Sequence, residues 1–236
     1  MDILLIKQRL HYLDVTRGIA IVLMIIYHFS FDLDNFNYIQ IDMDSALGWQ
    51  TFRSVIVTLF LTTMGISLAL THSSGICWSC MKKRTLFLGG ASLLVSIGSY
   101  FQFPETWIYF GILHFILFAS WLGLVFIGRP YLSLFVAIII LIGSYFDWLH
   151  TRVLFDMFKD VLHLPISYTE DLVNIFPWFA PVLIGIFIVA KGWHLYPQLK
   201  PNYISNKIGF MGRHSLFIYL IHQPILFGML LLVSKV

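Results

Sequence analysis

Charged residues are scarce in this chain. Only 11% of its 236 residues are Asp, Glu, Lys or Arg, whereas 58% are hydrophobic. A soluble domain averages about 25% charged residues, so there is too little polar surface here to cover a globule in water. The composition therefore excludes a soluble protein and indicates an integral membrane protein. Because a helix needs roughly 20 residues to cross a bilayer, about seven spans use up residues 1–236, which we expect to form a single polytopic domain.

Cysteine is equally sparse, and Cys77 and Cys80 are the two present. Two residues cannot make a disulfide framework, although their Cys-x-x-Cys spacing leaves a redox pair, or a zinc site with His72, as alternatives. No second cysteine pair accompanies them, so we expect no metal. Basic and aromatic residues are not interleaved, which argues against a nucleic-acid partner. The first apolar segment lacks a small-x-small cleavage pattern and is interpreted as a span rather than a signal peptide.

Apolar runs bounded by polar residues, glycine or proline predict an all-α membrane fold. The predicted spans are 17–34, 49–70, 85–102, 107–127, 131–148, 173–191 and 213–233. Between the fifth and sixth spans, residues 149–172 form a mixed polar segment. We expect a short interfacial helix there, around the sequence VLFDMFKDVLHL.

The distribution of charge predicts the orientation. With the N-terminus in the cytoplasm, 11 of the 15 basic residues lie inside and ten of the 12 acidic residues lie outside. The outer basic residues are Arg53, Arg152, Lys159 and Lys235, and the inner acidic ones are Asp2 and Asp14. This is a clear positive-inside bias. It predicts a cytoplasmic N-terminus, a C-terminus on the outer side, and Lys82, Lys83 and Arg84 in a cytoplasmic loop.

The first span carries ionisable residues at a regular spacing. Arg17 and His28 are eleven positions apart, which on an α-helix is three turns plus about 20°, so both project from one face. Ionisable groups at membrane depth nearly always face a protein interior or a wet cavity. Histidine can act as a general base near neutral pH, and arginine can bind carboxylate or phosphate oxygens. Asp32, one turn beyond His28, could hold the imidazole tautomer, so these three are the candidate catalytic residues.

Several blocks of the sequence resemble a known family. LDVTRGIAIVLMIIYHF is similar to the Arg-x10-His first helix of the membrane acyltransferases of the acyltransferase-3 group. The fuller resemblance is to bacterial proteins like the catalytic domain of heparan-alpha-glucosaminide N-acetyltransferase. The further blocks that carry it, in order along the chain, are LTTMGISLAL, YFGILHFI, FPWFAPVLIGI and GRHSLFIYLIHQPIL.

This resemblance implies an enzyme of the bacterial cytoplasmic (inner) membrane that transfers an acyl group from cytosolic acyl-CoA, with acetyl as the expected group. The acceptor would be a hydroxyl or amino group of a sugar or glycan on the outer side. By this resemblance, the essential arginine and histidine of the acyltransferase-3 group correspond to Arg17 and His28. In the family's lysosomal member the proposed catalytic histidine lies in the loop after the first helix. Residues 35–48 here contain no histidine, which leaves His28 as the candidate.

The remaining candidate residues follow from this expectation. Acceptor binding is assigned to residues in or near the apolar segments, namely His222, His114, Ser215 and Trp178, with the three histidines sharing one cavity. Contacts to the CoA phosphates are assigned to residues at the cytoplasmic side, namely Arg213, His214, Arg84 and Lys83. Partners are then membrane lipid, acyl-CoA and a sugar or glycan, with a homodimer left open.

Two other functions are compatible with the same residues. A transporter or flippase for a lipid-linked glycan could use the polar stripe of the first helix as its pathway, although no inverted repeat is visible. A haem-binding membrane protein could use His28, His114 or His222 as axial ligands.

Overall fold

The computed structural model describes residues 10–43, 45–149, 171–196 and 199–234. These residues form α-helices and parts of the segments between them, and no strand occurs among them, which confirms the all-α prediction for this part of the chain. In order, the helices are α1 (His11–Asn35), α2 (Leu47–Thr71), α3 (Trp78–Gln102), α4 (Ile112–Gly123), α5 (Pro130–Tyr145), α6 (Ile175–Ala190), α7 (Tyr203–Arg213) and α8 (Ser215–Val233). Single 3-10 turns follow α4 at Leu124–Phe126 and α6 at Trp193–Leu195.

Four of these helices are long and apolar enough to cross a membrane: α1, α2, α3 and α8. The segments Ile112–Phe126, Pro130–Tyr145 and Ile175–Ala190 are apolar but shorter. Each of the seven predicted spans therefore coincides with an apolar helix. The number of crossings and the side on which each terminus lies stay predictions.

Two helices begin well before their predicted spans. α1 starts at His11, so Arg17 lies within the helix rather than at its start. α3 starts at Trp78, which places Lys82, Lys83 and Arg84 on a helix and not in the predicted loop. Lysine and arginine are good helix formers, so a helix can extend past the apolar run that marks the span. The predicted interfacial helix at residues 153–164 lies outside the described residues.

The last predicted span corresponds to α8, and a separate short helix, α7, directly precedes it. α7 ends at Arg213, and α8 begins at Ser215, with His214 between them outside the helical region. α7 was not predicted, because its apolar residues are interspersed with polar ones. Its first turn is stabilised by a reciprocal cap: the Asn202 side chain accepts from the Ser205 backbone N–H at 2.8 Å, and Ser205 Oγ accepts from the Asn202 N–H at 2.9 Å.

The chain divides into two compact units, each described here by itself. The first comprises residues 1–63 and 197–236, and the second comprises residues 64–196. In the first unit, α1 packs against both α7 and α8. In the second unit, α5 packs against α6, and α3 packs against α4.

The contact between α1 and α7 depends on glycine. A Cβ on Gly18 would overlap the backbone oxygen of Ile208, and a Cβ on Gly212 would overlap the backbone oxygen of Asp14. The two backbones can approach this closely only because these positions lack side chains, as at other small-residue interfaces between membrane helices. His11 adds a polar contact, with its Nε2 3.1 Å from Ser205 Oγ.

We expect Gly212→Ala to destabilise the first unit, because the added methyl group must push α7 away from α1. A loss of about 2 kcal/mol would lower the melting temperature by roughly 4–8 °C in a chain of this size. Thermal unfolding of the purified protein in detergent measures this. Gly228→Ala is the matched control, since nothing lies within 4 Å of its new Cβ. An equal melting temperature for both variants would contradict a close α1–α7 contact.

Candidate active site

One face of α1 carries the polar residues of the first unit. Asp14, Met24 and Asp32 are buried, and Arg17 and His28 are partly buried, which agrees with the common face expected from their spacing. The exposed apolar positions of this helix, Ile19 and Ile26 among them, lie on the other side. Ionisable groups in an apolar helix thus face protein rather than the surroundings.

His28 on α1 meets His222 on α8. Nδ1 of His28 lies 3.3 Å from Nε2 of His222, and the ring centroids are 4.9 Å apart. His222 is buried, with 8% of its surface exposed. The two imidazoles are therefore in direct contact between α1 and α8.

The hydrogen bonds around this pair indicate where the protons lie. Nδ1 of His222 is 2.6 Å from the carbonyl oxygen of Tyr219, and Nδ1 of His28 is 3.0 Å from that of Met24. A carbonyl oxygen only accepts, so in each neutral ring Nδ1 carries the hydrogen. Nε2 of His222 can then accept from Nδ1 of His28. Nε2 of His28 is left with a lone pair, as a general base requires.

Asp32 forms its hydrogen bond with a residue of α8 and not with His28. Gln223 Nε2 donates to Asp32 Oδ1 at 2.8 Å, one helical turn along α1 from the imidazole pair. The predicted support of the His28 tautomer by Asp32 is wrong in this respect. Helical side chains point back toward the N-terminus of their own helix, so the His28 ring turns to the Met24 carbonyl and away from Asp32. No pattern in the sequence indicated Gln223 as the partner.

Arg17 lies about 16 Å along α1 from His28. Its Nη1 donates to Oδ1 of the buried Asp14 at 3.4 Å. At the end of α7, the exposed Arg213 lies over the Phe210 ring at 5.8 Å, and Nδ1 of the exposed His214 is 3.0 Å from the Phe210 carbonyl oxygen. Ser215 is the first residue of α8.

The family described as heparan-alpha-glucosaminide N-acetyltransferase, catalytic, matches residues 9–224. The chain belongs to this family. The match includes α1 and the part of α8 up to Pro224, and therefore every residue of the His28–His222 and Asp32–Gln223 contacts. No match to this chain was found among curated proteins or among solved structures.

Family membership makes the chain a membrane acetyltransferase in general terms. It agrees with the resemblance noted in the sequence and favours acyl transfer over the transporter and haem-binding alternatives. The individual roles of the candidate residues are not decided by it.

Beside His28, this acetyltransferase carries an aromatic cluster that was not predicted. The Tyr27 ring lies 5.8 Å from that of His28, 5.9 Å from that of Trp49 and 6.0 Å from that of Phe52. Aromatic faces are suitable surfaces for sugar rings, and this cluster adjoins the imidazole pair. With aromatic residues at 17% of the sequence, no pattern distinguished these positions from others.

His114 belongs to the second unit, where its side chain forms a hydrogen bond at the start of α4. Its Nδ1 accepts from the Gly111 N–H at 3.3 Å, and its Nε2 lies 3.1 Å from Ser96 Oγ, which donates to the Ile108 carbonyl oxygen. Both ring nitrogens are therefore used in local structure. An acceptor-binding role for His114, and a cavity shared with His28 and His222, stay predictions.

The other candidates in the second unit lie at helix surfaces. Arg84 Nε donates to Ser120 Oγ at 2.8 Å, which joins α3 to α4, and Lys83 is exposed. Trp178 lies in the first turn of α6 and is half-buried. Their assignment to CoA or to the acceptor stays a prediction.

Cys77 and Cys80 form a disulfide at the start of α3. The backbone N–H of Cys77 donates to Nδ1 of the buried His72 at 3.0 Å. The redox and zinc alternatives for this cysteine pair stay predictions.

A cavity of about 460 Å³ lies beside His72. Its lining is mostly apolar and comes from the ends of α2 and α6 and the segment between α4 and α5: Ala69, His72, Ser73, Gly75, Ile76, Leu124, Phe126, Ile127, Gly128, Pro130, Ile186, Val189 and Ala190. None of the predicted site residues lines it.

We expect the stability of the protein to fall at acid pH through His72. Burial, together with the positive charge of Arg84, lowers the pKa of His72 below its usual 6.5. The unfolded chain therefore binds a proton that the folded chain does not, so stability is lost as the pH falls below about 6.5. His72→Asn, whose amide oxygen can still accept from Cys77, should reduce this loss.

Melting temperatures measured between about pH 7.5 and pH 5.5 test this expectation. Ser73→Ala is the control, since it changes a neighbouring residue without removing a titrating group. If His72→Asn loses as much stability on acidification as the wild type does, another group is responsible.

Proposed function

We propose that this protein transfers an acetyl or other acyl group from cytosolic acyl-CoA to a sugar or glycan on the outer side of the membrane. The observation that carries the proposal is the buried contact between His28 and His222 at 3.3 Å across α1 and α8. It supplies a ring nitrogen with a lone pair inside a membrane helix, in a chain whose family consists of acetyltransferases.

In the proposed reaction, Nε2 of His28 is the general base. It takes a proton from the acceptor's hydroxyl or amino group, whose oxygen or nitrogen attacks the thioester carbonyl carbon. The C–S bond of the tetrahedral intermediate then breaks, the acyl group stays on the acceptor, and the CoA thiolate takes up a proton. A transient acyl group on the same Nε2 would use the same residues in two steps.

His222 supports the base in this scheme. When His28 gains a proton its ring becomes positive, and Nδ1–H can donate to both the Met24 carbonyl oxygen and Nε2 of His222. Two acceptors on one N–H stabilise the imidazolium and fix the ring orientation. His222 is thus a positioning residue for His28.

The donor would enter from the cytoplasmic side. Arg213 is exposed at the end of α7, and we assign it, with His214, to the CoA phosphates. Arg17, held by Asp14, is the essential polar partner on the same face of α1 as His28. Under this proposal the donor end and the base lie along one stripe of the helix.

We expect His28→Ala to lower acetyl transfer by about 100-fold or more, because general-base catalysis typically contributes that much. Transfer from radiolabelled acetyl-CoA to a panel of amino sugars measures the effect, and binding of acetyl-CoA should be unchanged. His194→Ala, a histidine outside the proposed site, is the matched control. Full transfer by His28→Ala to every accepted sugar, or a wild type that binds no acyl-CoA, would overturn the proposal.

A second prediction concerns the proposed contact of Arg213 with the CoA phosphates. Arg213→Ala should raise the KM for acetyl-CoA by roughly fivefold, the effect expected of one exposed charge pair. With S-acetyl-pantetheine, which lacks the nucleotide, the KM should not change. Arg129→Ala is the control, because Arg129 is also exposed and basic but donates to the Val125 carbonyl oxygen. Equal increases for both donors would assign Arg213 a role unrelated to phosphate.

A further inference from the structure

The contact between Asp32 and Gln223 leaves two hydrogen-bond acceptors without donors. Gln223 Nε2 donates to Asp32 Oδ1 at 2.8 Å. The other oxygens, Asp32 Oδ2 and Gln223 Oε1, are both buried and have no partner among the described residues. Only 1% of the Asp32 surface is exposed. Two unpaired acceptors therefore occur together, one on α1 and one on α8.

Two buried acceptors without hydrogen bonds reduce the stability of the folded protein unless a donor binds to them. A buried acceptor without a hydrogen bond loses its interaction with water and gains nothing in return, and the cost is larger for a carboxylate. The described partner of Asp32 is a neutral amide, which does not balance a negative charge. The groups that would satisfy both oxygens carry at least two hydrogens on one atom and, best, a positive charge.

These two oxygens belong to residues that lie next to the proposed base and its partner. Asp32 follows His28 by four residues on α1, about 6 Å along the helix axis, and Gln223 directly follows His222 on α8. The imidazole contact and the Asp32–Gln223 contact thus lie side by side between the same two helices. A group held at the second contact is within reach of the first.

We propose that Asp32 and Gln223 are a specificity-determining pair that holds the nucleophilic amine of the acceptor and discriminates against a hydroxyl. This inference rests on the acyl transfer proposed above. Two N–H groups of an ammonium donate to Asp32 Oδ2 and Gln223 Oε1, and its third proton passes to Nε2 of His28. The nitrogen lone pair so released attacks the thioester carbonyl carbon, the C–S bond then breaks, and the CoA thiolate leaves with a second proton from the nitrogen, so that an amide remains. A hydroxyl has one hydrogen and leaves one of the two oxygens unpaired.

The test uses glucosamine and glucose as a matched pair of acceptors, with acetyl-CoA as donor and the full chain in detergent. Asp32→Asn keeps the shape of the side chain and removes its charge. We expect it to raise the KM for glucosamine on the order of tenfold, as the loss of a charge-assisted hydrogen bond does. The kcat and the binding of acetyl-CoA should change by less than about twofold, and the preference for glucosamine over glucose should fall.

Gln223→Met is the second variant, and it should lower the same preference through the other oxygen. Asp34→Asn is the control, because this carboxylate on α1 accepts from the Ile41 N–H outside the pair. Equal losses with both acceptors in Asp32→Asn and Gln223→Met, or a fall in kcat without a change in KM, would overturn the proposal.

Binding of glucosamine in the absence of acetyl-CoA separates this inference from the proposed function. Wild-type protein that binds glucosamine more tightly than glucose, with the difference lost in Asp32→Asn, supports the pair even if no transfer is detected. Protein that transfers acetyl groups equally well to both sugars refutes the pair and leaves the acyl transfer standing. A wild type that binds neither sugar refutes the pair as well.

Discussion

Two hydrogen-bonded contacts between α1 and α8 determine what the first unit can do. His28 meets His222, and one turn further along α1 Asp32 meets Gln223. In an apolar environment a polar side chain must find a partner within the protein, because no water is at hand to replace it. The two contacts therefore join the helices and, by the same hydrogen bonds, set the orientation of the imidazole proposed as the base.

The close packing of α7 against α1 adds further contacts toward the N-terminal end of α1. Gly18 and Gly212 let the two backbones touch, and the chain leaves the helical region at His214 before α8 begins. A single straight helix through residues 203–233 could not pack against α1 along two different segments. The break after Arg213 allows one part to contact α1 near Arg17 and the other to contact it near His28.

The sequence predicted the features that depend on neighbouring residues. The apolar runs and the helical period predicted the helices and the common face of Arg17 and His28. The contact of His28 with His222 joins positions 194 residues apart, and periodicity carries no information about such pairs. Asp32 was assigned to His28 because spacing says which residues are near, whereas side-chain direction decides which of them touch. α7 was missed because a short helix with mixed polarity resembles a loop.

The choice of a second imidazole as the partner of His28 has a physical reason. A carboxylate in that position would stabilise the protonated ring more strongly, but it would also bring a charge to the centre of the contact at a large desolvation cost. A neutral imidazole accepts the same hydrogen bond at a smaller cost. The carboxylate lies one turn away instead, where under our proposal the charge of the acceptor balances it. His28 then becomes positively charged only when the acceptor has given up its proton. The positive charge moves from the Asp32–Gln223 contact to the adjacent His28–His222 contact, and no new charge is created in the apolar interior.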